Sequence, residues 1–480
     1  MNAARQKLWI AFGAAGLLGA GLAARRMGRT RRTAPAFARE RAPSLPQAST
    51  RDTLLALLDV FLPNVAKGVI VRRPALVNLS ERMEQDRRAV RRMQNLRSKY
   101  GDGPLMLRLP LRNQALLFEP AHVRRVLEGS PDPFDPASSE KVAALSHLEP
   151  QGVLISRGED RTVRRHFNEE VLDYRHDVHR LVDSFLPVVE QEAARMLAAA
   201  RRQDCLDWPA FEEGWARMVR RVTFGAAAAD DSELDSLALA LRRAANWAFL
   251  HPPMRRTRRR FLARIRHYLD LAEPGSLAGL AATIPQDTRT APEHQVAQWL
   301  FAFDPAGMGV FRALALLATH PEQAARAQQE IRAHPDGERR NLPLLRATVL
   351  EALRLWPTTP LLLRQTRRET LWEHGVMPAR TGILIHTPTF HRDDQRLPYA
   401  DRYTPELWMR ERSAHDWPLI PFSAGPATCP AHHLVPLLGS AMLAALLDGR
   451  SFRLQEAQRI DPQRLPGTLD NYALRFAFAG

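Results

Sequence analysis

Cysteine is almost missing from this 480-residue chain: Cys205 and Cys429 are the only two. A disulfide framework is thereby excluded, and a lone functional thiol suits a reducing compartment. Lysine is nearly as scarce. Lys7, Lys67, Lys99 and Lys141 supply all of it, so arginine carries most of a net charge of +16. That excess calls for an anionic partner. Zinc-finger spacing, an RNA-recognition signature and an interleaved aromatic platform are all absent, and the basic residues lie scattered through helical stretches. Nucleic acid is therefore not the expected partner, whereas a membrane surface or an acidic redox protein fits. Flavin and iron–sulfur motifs are lacking as well. Hydrophobic residues make up 45% of the chain, enough to exclude disorder and to build a large core.

What is present begins with Leu8 to Ala24, an uncharged run just long enough to cross a bilayer as a helix. More positive charge follows it (Arg25, Arg26, Arg29, Arg31, Arg32) than precedes it (Arg5, Lys7), which would leave the rest of the chain in the cytoplasm. The run reads as a single-pass anchor over residues 1–25, although a cleaved signal or a surface-lying helix would use the same composition. A Pro-, Ala-, Ser- and Arg-containing linker follows over 26–50, and residues 51–480 form one domain. Two short apolar runs, Pro104–Leu109 and Asn113–Phe118, have the length and turn signals of a hairpin, and Glu119–Gly129 reads as a short helix. Residues 130–151 are rich in Pro, Ser and Ala and are expected to form part of a pocket wall. The arginine-dense segment 158–167 opens a helix. Long helical patterns then cover His176–Arg202, Trp208–Phe224, Leu234–Phe249 and Arg255–Leu271. The last begins with five arginines in six residues, a solvated face or a lipid contact.

The chemistry gathers in the second half. Pro292–His320 reads as the longest buried helix, and Pro305 inside it removes a hydrogen bond and predicts a kink. Glu351 and Arg354, three apart on a helix over 342–356, lie on one face and can pair. Near the end, Phe422-Ser423-Ala424-Gly425-Pro426-Ala427-Thr428-Cys429-Pro430-Ala431 brings a thiol outward on a loop of small residues. Gly425, Ala427 and Thr428 let that loop pack flat against a planar partner. An apolar helix over His432–Leu447 follows, whose positive end would lower the thiol pKa.

The order Phe422, Gly425, Cys429, Ala431 resembles the haem-binding loop of the cytochrome P450 superfamily, and Glu351-x-x-Arg354 resembles its buried ion pair. The resemblance covers roughly residues 76–450 and is to a bacterial-type member with a membrane tether. It implies a mainly α fold with a small β region near 104–118 and 361–390. It implies haem b, with Cys429 as the iron ligand, Phe422, Gly425 and Ala431 shaping the cradle, and Arg165 and Arg364 on the propionates, with Arg161 standing where an aromatic residue or histidine is usual. A buried Glu351–Arg354 pair would lock the core on the cysteine side.

Three departures stand out. The residue after the acid Asp304 is Pro305 where the family usually has a threonine, so Asp304 is either a proton carrier or a cap for the helix beyond the break. Leu407 stands where a third arginine completes the Glu-x-x-Arg cluster, with Arg402 or Arg410 as substitutes. Ala427 stands where a basic residue usually meets a propionate, with His432 as the nearest replacement. The implied activity is monooxygenation of a lipophilic substrate, with electrons from a separate ferredoxin or flavin reductase. Peroxide-driven chemistry, or a haem protein without oxygen chemistry, are the alternatives.

Overall fold

A computed structural model describes residues 43–479 apart from 111, 336, 414 and 415. The anchor expected over 8–24 lies outside the described residues. Ten of the helices among the described residues position the site: α1 Gln85–Tyr100, α2 Ser139–Leu145, α3 Gly158–Val171, α4 Val182–Arg202, α5 Trp208–Phe224, α6 Ser232–Ala245, α7 Arg255–Leu271, α8 Pro292–Thr319, α9 Pro343–Leu355 and α10 Leu434–Leu447. Five strands form a mixed sheet: β1 Leu105–Leu107, β2 Gln114–Leu116, β3 Phe134–Asp135, β4 Leu361–Thr366 and β5 Gly382–His386, in the order β1-β2-β5-β4-β3. Short helices and two further small sheets fill the rest.

The hairpin expected from 104–118 is β1 and β2, antiparallel with Leu105 opposite Leu116. β5 then pairs with β2 in parallel and with β4 in antiparallel register, setting Leu363 opposite Leu384. Alternate side chains of this sheet enter two apolar clusters, one on each face.

α4, α5, α8 and α10 pack into the main core, and α9 closes it against α8 and α10. α10 is apolar on every side, from Leu434 through Leu447, because it is surrounded. α8 is long and apolar enough to span a bilayer by composition, yet most of it is buried in protein. The break expected at Pro305 does not occur. α8 is continuous from Pro292 to Thr319, so the lost hydrogen bond is absorbed within one turn. Cys205 is buried, as an inert cysteine should be.

Candidate functional site

The Cys429 loop owes its shape to the residues before it. Gly425 has φ +68°, and a Cβ there would lie 2.3 Å from the carbonyl oxygen of Leu127. Only glycine accepts both the left-handed backbone and the contact. A short 3₁₀ turn, Gly425–Ala427, follows, and the Cys429 N–H returns to the carbonyl of Phe422 at 3.0 Å. Phe422 and Cys429 thus close the turn, both partly accessible. α10 begins at Leu434, later than the sequence suggested, so Pro430 and Ala431 lie in the turn before the helix. The helix end does not dominate the thiol. Burial pushes Cys429 up, against the Ala431 N–H and the Arg165 charge.

Arg161 and Arg165, one turn apart on α3, part company. Arg165 pairs with Glu169 at 2.6 Å, lies over the Tyr174 ring at 5.2 Å and reaches the Thr428 carbonyl. His432 joins that side, its ring tilted against Tyr174 at 4.7 Å and its Nδ1 3.1 Å from the carbonyl of Cys429. Burial and the adjacent His433 hold it neutral, down to about 4. Arg161 instead turns to the carbonyls of Val153 (3.2 Å) and Pro426 (3.4 Å). Arg364, buried on β4, donates to Ser130 Oγ at 2.9 Å and to Ser423 Oγ at 3.4 Å. Two guanidiniums therefore hold the cysteine loop from one side.

A third cation joins them. Lys141 on α2 feels Arg364 and Arg161, and burial together with those charges pushes its ammonium down to about 7. Burial, and then Arg161, push Arg364 to about 10. The carboxylate they share is Asp135, already bonded by Arg157 at 2.5 Å. Such a cation excess at low dielectric is unfavourable unless anions complete it. The sequence signal for Lys141 was its rarity, together with its place in the segment read as a pocket wall.

Glu351 and Arg354 are fully buried and meet in a bidentate pair at 2.7 and 2.8 Å. Arg354 also donates to the carbonyls of His391, Tyr399, Ala400 and Arg402. The substitutes expected for the third arginine are not used as such. Arg402 offers only its backbone, Arg410 pairs with Asp416, and the Glu351 carboxylate is completed by the Thr404 N–H and Trp408 Nε1, both at 2.8 Å. Behind them, buried His391 accepts from the Ile420 N–H at 3.0 Å and ties this cluster to the start of the cysteine loop.

Asp304 neither caps a restarted helix nor is sealed inside. It is paired with Arg242 of α6, and its side chain is 41% exposed.

Residues 294–469 match the family model "Cytochrome P450". Among curated proteins, "Probable cytochrome P450 4p3" of Drosophila melanogaster is 28% identical over 174 residues, 34% of this chain and 33% of the relative. "Cytochrome P450 71D94" of Mentha gracilis is 35% identical over 131 residues, 25% of this chain and 26% of the relative. The matched stretch thus spans about a third of such relatives or less. A solved structure titled "Crystal structure of a Cytochrome P450 (CYP102L1)" superposes with a TM-score of 0.65 at 17% identity, over 82% of this chain and 98% of that one. The fold is that of the cytochromes P450. These curated relatives are insect and plant proteins, so the bacterial-type assignment finds no support in them.

The cofactor of the P450 fold is haem b, and the residues present suit it. Cys429 offers the thiolate, the Gly425 turn offers a flat approach, and the three cations with one shared carboxylate fit the two propionates. Arg161, Arg364 and Lys141 all act on Asp135, while Arg165 and His432 meet the carbonyls of Thr428 and Cys429.

Proposed function

We propose that the protein is a haem-thiolate monooxygenase that places one atom of dioxygen into a lipophilic substrate, using electrons from a separate donor. The observation that carries this reading is the Cys429 loop, locked from behind by the buried Glu351–Arg354 cluster and from the side by Arg161 and Arg364. The thiolate-ligated haem supplies oxygen activation. The protein's own residues supply the rest. Arg161, Arg364 and Lys141 neutralise the propionates, and α8 bounds the opposite side of the site. A cleft of about 730 Å³ between α2 and residues 248–253, lined by Val142, Ala143, Phe249 and Pro253 with His147 and Arg380, suits entry of an apolar molecule.

Membrane association belongs to the same proposal. A single N-terminal pass over residues 8–24 would hold the domain on the cytoplasmic side. Phe249 and Leu250, both exposed, lie beside the arginine-rich start of α7, a combination that favours an anionic lipid surface. The electron donor in this reading is a separate ferredoxin or flavin reductase.

A peroxide-driven enzyme is the second reading, favoured by Pro305, which offers no hydroxyl. A haem protein without oxygen chemistry is weakened by Trp408 and Lys141, which compensate for Leu407 and Ala427. The deciding measurement is the absorption spectrum of the reduced, carbon-monoxide-bound protein, native and Cys429→Ala. A strongly red-shifted Soret band lost in the variant is expected; a histidine-type band overturns the reading. Turnover with a reductase against turnover with peroxide alone then separates the first two.

A further inference from the structure

We infer that Glu149, not Asp304, is the acid that delivers protons to the distal side of the haem site, replacing the alcohol that Pro305 removes. This deepens the monooxygenase reading and rests on it.

Glu149 is fully buried, in the segment that runs from α2 to the 3₁₀ turn Val153–Ile155. Gly152 makes room for it: a Cβ there would lie 2.8 Å from the Glu149 carboxyl carbon. The segment is fastened to both walls of the site. Arg161 holds the Val153 carbonyl together with that of Pro426, beside Cys429. Gln295 of α8 accepts from the Val153 N–H at 3.0 Å. Glu149 therefore stands on the strap that joins the cysteine loop to α8.

Its carboxyl meets Gln298, one turn beyond Gln295. With the amide oriented to satisfy both groups, the Gln298 nitrogen donates to Oε2 at 3.2 Å and to Oε1 more closely. Burial raises the Glu149 pKa well above the ordinary carboxylate range, and no charged neighbour offsets it. Burial thus favours the protonated form, which is the one able to donate. Solvent is close by for its reprotonation, because Pro150 and Gln151 are exposed.

Gln298, Ala302 and Pro305 follow at spacings of four and three, one stripe of α8, and all three are partly accessible, as are Leu300, Phe301, Asp304 and Met308 on its other sides. Pro305 has no N–H, so the Phe301 carbonyl one turn back keeps no helical donor and is free to accept from water. The stripe therefore carries, over roughly 10 Å of helix axis, an acid at one end and a water acceptor near the other. Asp304 is turned about a third of a revolution away and is held by Arg242. One proton leaves the Glu149 carboxyl for a water on this stripe, and one returns from bulk solvent, so the residue ends each cycle as it began.

The experiment compares the haem-loaded native protein with E149Q, D304N and E149Q/P305T. The first readout is the C–O stretch of the reduced carbon-monoxide complex in H₂O and D₂O, which reports a nearby proton donor whether or not a substrate is known. Expected is an isotope-sensitive band shifted in E149Q and unmoved in D304N. The second is dioxygen-driven turnover. E149Q is expected to lose ~10²-fold in product formation, with electrons diverted to hydrogen peroxide, while D304N stays close to native and E149Q/P305T recovers. A C–O stretch unchanged in E149Q, or equal losses in D304N, overturns the proposal. Absence of dioxygen-driven turnover in the native protein overturns the monooxygenase reading instead, and the C–O stretch still decides on Glu149.

Discussion

Single residues decide whether this site assembles, and their charges set the signs. Removing Glu351 would strand Arg354 in a fully buried pocket, so Glu351→Ala is expected to cost ~3–5 kcal/mol. Trp408→Phe, which deletes one donor to the same carboxylate, should cost only ~1–3 kcal/mol. Denaturant unfolding of both variants checks the order. The sequence announced the pair but not the tryptophan, because a motif names the ionic partners while the neutral donor that completes a carboxylate depends on how a later loop folds back. Lys141 was legible only as a rarity for the same reason: a cation becomes a ligand when tertiary structure brings other cations beside it. Its pH behaviour is testable in the haem-free chain. In the unfolded chain Lys141 keeps its proton up to about 10.5, while in the folded chain it releases it from about 7. Between those values the unfolded state binds more protons, so stability rises with pH across that window, and below it the full penalty stands. Unfolding midpoints measured across that window should climb in the native sequence and flatten in Lys141→Met. Propionates beside the ammonium should remove the slope in the haem-loaded protein.

At the scale of elements, periodicity served well where burial is one-sided or complete. The hairpin of β1 and β2, the extent of α8 and the uniformly apolar α10 were all readable, since alternation and unbroken hydrophobicity follow directly from what each face touches. Pro305 does not interrupt α8. A proline costs one bond, and the packing of α8 against α5, α9 and α10 on its remaining faces holds the helix straight enough to continue. The consequence is functional: an uninterrupted helix keeps Gln298, Ala302 and Pro305 on one stripe. Pro305→Thr returns both an N–H to the Phe301 carbonyl and a hydroxyl to the stripe. In the native background it is expected to raise the share of electrons ending in product, and in E149Q to restore turnover to within ~10-fold of native. Product and peroxide yields per electron pair, measured side by side, test both statements.

On the scale of the whole molecule, the arginine excess has two destinations. Some guanidiniums are structural, such as Arg354 and Arg392, each buried and bonded to several carbonyls as well as a carboxylate. Those pairs are internally balanced and contribute little to the field outside. Of the net charge of +16, +8 lies in residues 1–42, outside the described residues, and the other +8 in residues 43–480; an excess of that sign on the domain speeds encounter with an acidic electron donor without adding contacts. Reduction of the haem by an acidic ferredoxin or flavin donor should then slow by ~10-fold or more as added salt shortens the Debye length from ~30 Å to ~10 Å. The unimolecular step after docking should change little. Stopped-flow reduction at rising donor concentration separates the two, because steering acts on the second-order slope and leaves the plateau alone. A slope insensitive to salt would mean that the arginines serve a lipid surface instead, and binding to vesicles of anionic against neutral lipid would then carry the salt dependence.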